Sequence, residues 1–113
     1  MSTDNAIKEI EISKKDAEKL VDDARAVNRL LKNRDFKRVI TEGFFEKEAV
    51  RLVLLKSDPN FQSPEDQASL LTAMDGIGVL RHYLQTRLVL GDQASASIED
   101  LDAELEELRE EAE

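Results

Sequence analysis

The sequence of 113 residues has no cysteine, no tryptophan and a single histidine. Without cysteine the chain cannot form disulfides, act through a thiolate or bind zinc through sulfur. One histidine also excludes a metal site built from several histidines. No apolar run approaches the ~20 residues that span a bilayer. We therefore expect no cofactor, no metal and no membrane contact.

Proline and aromatic residues are also scarce, whereas leucine, alanine, glutamate and lysine are abundant. This composition favours helices over strands. We predict an all-α protein, an antiparallel helical bundle or hairpin with a long central helix and a C-terminal amphipathic helix. The predicted division is an N-terminal arm over residues 1–12, a helical body over 13–91, and a linker with an acidic amphipathic helix over 92–113.

The long central helix is predicted between Ser63 and Gly91. Ser63 is a good N-cap, Pro64 suits the first helical position, and Gly91 is typical of the residue after a helix end. The broad apolar stripe of this segment includes Leu70 and Ile77 and predicts core contacts. Two interior glycines, Gly76 and Gly78, each cost about 1 kcal/mol relative to alanine. Close packing of another backbone is the favoured explanation for them, and a kink is the alternative.

Three further signals divide the rest of the chain. Ser13 resembles a helix N-cap and predicts a first helix that ends near Lys32. For the residues before Ser13 an extended arm is preferred, and an early helical turn with Ile7 and Ile10 at helical spacing is the alternative. A short helix is predicted to end at Gly43. The segment EKEAVRLVLLKS that follows is apolar on nearly all sides, so we expect it in the middle of an assembly.

The C-terminal segment carries a narrow apolar seam on an otherwise acidic helix. After the predicted linker, Ser97 begins a second capping pattern. An isolated helix of ~16 residues is marginal in water, so we expect the seam to dock on the body or on a partner. The predicted partner-binding residues are Ile98, Leu101, Leu105 and Leu108.

The net charge of −9 argues against a general nucleic-acid binder. The charge is unevenly distributed, however, because basic residues cluster in one segment. This basic segment could contact phosphates or an acidic partner, including the acidic C-terminal helix of a neighbouring copy. Its members are Arg25, Arg29, Lys32, Arg34, Lys37 and Arg38.

No arrangement of residues predicts catalysis. His82 lacks a nucleophile or a carboxylate at clear helical spacing, so ordinary packing or a surface position is the preferred interpretation. The acidic pairs at residues 22–23 and 46–48 lack the Glu-x-x-His pattern of carboxylate metal bundles. The motif Gly76-Ile77-Gly78 has neither the preceding strand nor the following Lys-Ser/Thr of a phosphate loop. We therefore expect a protein that is not an enzyme.

The central half of the chain, from NRDFKRVITEGFF through EAVRLVLLKSDP to GIGVLRHYL, resembles the small acidic helical proteins of tailed-bacteriophage head and packaging gene clusters. The resemblance implies a virion or assembly component, associated with the capsid or the head–tail junction. It implies a location in the host cytoplasm or on the virion.

The leading hypothesis is a structural or assembly protein that binds itself or a larger virion protein through helices. Two alternatives remain open. One is a small acidic inhibitor or adaptor of a host enzyme. The other is a DNA-packaging factor that uses the basic segment from Arg25 to Arg38.

Overall fold

The computed structural model describes residues 2–112, and this part of the chain folds into helices and short turns without a strand. The all-α prediction is therefore confirmed. Four α-helices are joined by a π-helix and a single 3₁₀ turn. The elements are α1 (Thr3–Lys32), α2 (Arg34–Phe36), the π-helix (Lys37–Glu48), α3 (Ala49–Lys56), the 3₁₀ turn (Pro59–Phe61) and α4 (Pro64–Ala112).

The helices group into two compact units. The first unit takes in the chain up to Val27 and from Thr86 onward, and the second is Asn28–Gln85. The boundaries of the units fall within α1 and α4, so each of these helices contributes to both units. The division into an N-terminal arm, a helical body and a C-terminal tail stays a prediction. The secondary structure predicted for the arm and for the linker of the tail needs correction.

The first unit pairs a segment of α1 with a segment of α4. Ala17, Ala24 and Val27 are buried on α1, and Ala94 and Leu105 are buried on α4. The two backbones approach closely at Gly91, where an added Cβ would overlap the Cβ of Ala24 and lie 3.3 Å from the carbonyl oxygen of Leu20. Small residues on both sides therefore allow this close contact.

The second unit has a small core centred on Leu52 of α3 and Leu70 and Ile77 of α4. Phe61, from the turn before α4, and Met74 are partly buried against these three residues. Burying apolar area is the main stabilising contribution to such a core. The core roles predicted for Leu70 and Ile77 are confirmed.

Capping residues define the starts of three elements. Ser63 Oγ accepts a hydrogen bond of 3.1 Å from the N–H of Asp66, which confirms the predicted N-cap of α4. Asn33 Oδ1 accepts one of 2.9 Å from the N–H of Phe36 and caps α2. Asp58 caps the 3₁₀ turn through the N–H of Asn60. Each side chain satisfies a backbone donor that would otherwise lack a partner.

Two sequence predictions about helix ends in the outer parts of the chain are wrong. Residues 3–12 are helical in α1, so they do not form an extended arm and Ser13 does not start the helix. At the other end, α4 continues through Gly91 and through residues 92–97, which removes both the predicted stop and the predicted linker. Packing of Gly91 against Ala24 accounts for a glycine inside a helix better than a cap does.

The predictions for the central glycines also need correction. The helical run continues past Gly43 within the π-helix, where an added Cβ would lie 3.1 Å from the carbonyl oxygen of Arg38. A Cβ added at Gly76 or at Gly78 would meet nothing within 4 Å, so the predicted close packing at these glycines is wrong. The helix α4 is continuous across both of them.

Candidate protein-binding surfaces

The seam predicted to bind a partner lies in the first unit. Leu105 is only 3% exposed, and Ile98, Leu101 and Leu108 are half-buried. Leu101 shares a groove with Ala17 of α1. In the structure the seam thus packs beside α1 of the same chain. That the seam binds another protein stays a prediction.

Ion pairs connect the same two helices beside the seam. Lys14 Nζ lies 2.7 Å from Asp102 Oδ1, and Arg109 Nη2 lies 3.5 Å from Glu11 Oε1. The hydrogen bond from Lys14 to Asp102 raises the pKa of the lysine above its ordinary 10.5, with the charge of Asp102 adding to the effect. Exposed ion pairs of this kind contribute little to stability, but they favour one alignment of the two helices.

An open groove of about 590 Å³ runs between these two segments of α1 and α4. We call it the acidic groove. Its apolar lining comes from both helices: Ala17, Leu20, Leu90, Ala94 and Leu101. Its charged lining residues are all acidic and all exposed: Asp16, Asp100 and Glu104. An apolar floor with charged edges of one sign is a surface that can receive an amphipathic helix.

The second unit presents an apolar stripe of a different kind on α3. Leu52 of α3 is 4% exposed and packs into the core, whereas Val50, Val53 and Leu54 face outward. Leu54 alone is 67% exposed. These three residues stand at positions i, i+3 and i+4, which places them on one side of a helix. We call Val50, Val53 and Leu54 the α3 face.

The charged residues within α3 are both basic. Its sequence, AVRLVLLK, contains Arg51 and Lys56 and no acidic residue. Arg51 is held by Glu48, one turn earlier, through two hydrogen bonds of 2.5 Å and 2.8 Å. The hydrogen bond from Arg51 lowers the pKa of Glu48 below its ordinary 4.5. The α3 face is therefore bordered by the positive charge of Lys56 and by Arg51, whose charge is balanced by Glu48.

All six basic residues of the basic segment are exposed. Arg25 belongs to the first unit and the other five residues belong to the second. The segment spans the end of α1, α2 and the start of the π-helix, with these exposed residues: Arg25, Arg29, Lys32, Arg34, Lys37 and Arg38. Their exposure is compatible with either of the predicted ligands, phosphate or an acidic protein.

The candidate chemical residues do not converge on a metal site. His82 is exposed on α4, as are Asp22 and Asp23 on α1. Among the residues that the structure describes, no three His, Cys, Asp or Glu side chains come together in a way that could hold a metal ion. None of the helices within residues 2–112 combines the length and the apolar character that a bilayer span requires.

The sequence prediction missed the α3 face and the acidic groove. The segment containing α3 is apolar on nearly all sides, and this hid which side would stay exposed. The spacing of Val50, Val53 and Leu54 was the available signal, because Leu52 lies on the opposite side of the helix. The groove had no local signal, since α1 and α4 form it from residues about 80 positions apart.

In comparisons with known proteins, no family model, no curated protein and no solved structure matches this chain. Functional inference therefore depends on the surfaces described above.

Proposed function

We propose that the protein is a non-enzymatic structural or assembly protein that acts by helix-mediated binding to other proteins. The observation that carries this proposal is the large hydrophobic side chains that the described chain leaves on its surface. All of them except Ile12 and Val89 belong to the second unit: Leu30, Val39, Val50, Val53, Leu54, Leu71, Val79, Leu80 and Tyr83. Apolar side chains that lie together on a surface mark an interaction site, and Val50, Val53 and Leu54 share one side of α3.

The fold by itself covers only a small amount of apolar surface, and this is the physical reason to expect a protein partner. In the second unit only Leu52, Leu70 and Ile77 form the buried core. A chain of this size gains much from burying further surface against a partner. Binding would then cover side chains on α3 and α4 that now face outward.

The proposed architecture of the bound protein is the antiparallel helical bundle predicted from the sequence. Support comes from the first unit, where Ala24, Lys14 and Glu11 meet Gly91, Asp102 and Arg109 in reversed order. The two segments of that unit thus run in opposite directions. In this proposal a partner helix would complete the packing of the remaining apolar surface.

The proposed setting is the virion or the capsid-assembly pathway of a tailed bacteriophage, in the host cytoplasm or on the particle. The resemblance of the central half of the chain to phage head and packaging proteins supports this setting. Charge would contribute to the choice and orientation of the partner more than to raw affinity.

The test is binding to purified capsid and head–tail proteins of a tailed phage, measured by light scattering after size separation. The variant Leu54→Asp with Leu71→Asp removes exposed apolar surface, and we expect it to lose the complex. Ser69→Asp with Gln85→Asp adds the same charge at exposed polar positions of the second unit and serves as the control. Equal binding by both variants, or no binding by the native chain, would overturn the proposal.

A second candidate function, holding DNA, is favoured by the exposure of the basic segment. It predicts binding that weakens steeply with salt, because phosphate contacts release counterions. Changing Arg29, Arg34 and Arg38 together to alanine should reduce both the affinity and its salt dependence. Absence of DNA binding at low salt in an electrophoretic shift assay would remove this candidate.

A further inference from the structure

We infer that the acidic groove of one copy binds the α3 face of a second copy. This inference rests on the proposed function, because it names the chain itself as one partner of an assembly protein. The contact would join the first unit of one copy to the second unit of another. Its parts are the groove between α1 and α4 and the outward stripe of α3.

The shapes of the two surfaces are compatible. The groove is open along its length, and the small residues Ala17 and Ala94 in its floor leave room for larger side chains. The α3 face presents Val50, Val53 and Leu54 on one side of a helix. A helix that places residues i, i+3 and i+4 into an apolar groove is a recurring mode of recognition.

The charges of the two surfaces favour a contact between a groove and an α3 face over a contact between two identical surfaces. Two acidic grooves facing each other would bring like charges together, since Asp16, Asp100 and Glu104 line each one. Two α3 faces would bring together their Lys56 side chains and would offer each other no opposite charge beyond the Glu48 that Arg51 already binds. Like charges across an interface are costly, whereas opposite charges favour encounter and orientation. The acidic groove is therefore unsuited to a second groove and suited to the α3 face, where Lys56 can meet its carboxylates.

A contact between two different surfaces has a consequence for assembly. After two copies join, one groove and one α3 face remain open, so further copies can add. Head-to-tail contacts of this kind close into rings or continue as filaments, depending on the rotation between copies. The mass of the native protein should therefore rise with concentration beyond that of a dimer.

The contact is small, and this bounds its strength. Three apolar side chains of α3 against a groove lined by about two turns of α1 and about four turns of α4 correspond to an interface below about 1,200 Å². Such interfaces associate reversibly. We expect dissociation at micromolar concentration and a decrease in association with added salt, because the exposed charges are screened over about 8 Å at 0.15 M.

The experiment is sedimentation velocity of the full chain and its variants over a range of concentrations. Leu54→Asp breaks the α3 face, and Asp100→Lys with Glu104→Lys reverses the charge of the groove. Val79→Asp is the matched control, because Val79 is 68% exposed on α4, almost the same as Leu54 on α3. All four positions are exposed, so circular dichroism should show unchanged folding in every variant.

We expect Leu54→Asp and the groove variant each to lose association by about 30-fold or more, the effect of removing a central contact. Val79→Asp should associate like the native chain. Mixing the two defective variants should restore one complex of twice the 12.8 kDa mass of a single chain. The intact groove of one variant can still receive the intact α3 face of the other, and this pair cannot extend.

Three results would overturn the inference: a native chain that stays monomeric, defective variants that give no complex when mixed, or loss of association in Val79→Asp as well. The first of these leaves the proposed function intact if the native chain still binds purified virion proteins. Loss of virion binding with retained self-association would instead overturn the proposed setting and leave this contact standing.

Discussion

Replacing Gly91 by alanine and Gly76 by alanine should change stability in opposite directions. Both glycines lie inside α4, and alanine is the better helix former by about 1 kcal/mol. At Gly76 the new methyl group would meet nothing within 4 Å, so Gly76→Ala should stabilise the protein by about 1 kcal/mol. At Gly91 the same methyl group would overlap Ala24 Cβ.

The cost at Gly91 can be estimated from the contact. Inserting a methyl group into a closely packed contact costs about 1–3 kcal/mol, because the neighbouring backbone must shift. The nearest atoms besides Ala24 Cβ include the carbonyl oxygen of Leu20 at 3.3 Å, which belongs to the backbone of α1. Since the gain in helix propensity is common to both variants, their difference in free energy of unfolding should equal this cost.

The measurement is urea denaturation of both variants and the native chain, followed by circular dichroism. A difference of 1 kcal/mol would also separate the melting temperatures by about 4 °C. The double variant Ala24→Gly with Gly91→Ala removes the overlapping atom from α1. We expect it to be more stable than the sum of the single changes by about 1 kcal/mol, as residues in direct contact are coupled.

Equal stabilisation by Gly91→Ala and Gly76→Ala would refute this reasoning. It would mean that α1 and α4 do not approach closely at Gly91 in solution. Additive effects of Ala24→Gly and Gly91→Ala would lead to the same conclusion, because they would show that the two positions do not touch.

Three other changes test separate contacts. Leu105→Ala should lower the free energy of unfolding by about 2–5 kcal/mol, because this residue is buried; a loss under about 0.5 kcal/mol in urea denaturation would place it at the surface. Arg51→Ala should raise the pKa of Glu48 towards 4.5 in an NMR titration, and an unchanged pKa would show that the pair is absent in solution. Because folding lowers that pKa, the contribution of the pair is present above pH 4.5 and is lost as the pH falls through the folded value. Asn33→Ala should cost about 1 kcal/mol by removing the cap of α2, and unchanged amide exchange at the start of α2 would contradict this.

Local signals in the sequence were reliable where a side chain acts on its own neighbourhood. Ser63 caps α4 because its hydroxyl needs only a backbone N–H three residues away. Leu70 and Ile77 are two turns apart on α4, so helical periodicity alone places them on one face. The all-α fold follows from the same kind of local preference.

The errors arose where contacts between distant residues outweigh local preference. Gly91 is typical of a helix end, but its contact with Ala24 provides a reason for glycine inside the helix. Ile10 and Ile12 alternate with charged residues as they would in a strand, yet residues 3–12 belong to α1. Glu11 in this segment reaches Arg109, a partner 98 residues away that local pattern analysis cannot detect.

The candidate surfaces could be predicted only in part. The apolar seam around Leu105 was identified, but its burial beside α1 depends on a contact with a helix far away in the chain. The α3 face required knowing that Leu52 is the residue of α3 that turns to the core. The sequence offered several apolar residues for that role, and packing against α4 selects one.

The contact between Gly91 and Ala24 also determines the register of the two helices in the first unit. Gly91 is the only glycine in α4 beyond Thr86, so every other residue of that segment carries a Cβ. If α1 slid along α4, the residue brought opposite Ala24 would introduce the same overlap that Gly91→Ala is expected to cause. One missing methyl group thus selects a single alignment of two long helices whose apolar stripes repeat and would otherwise tolerate slippage.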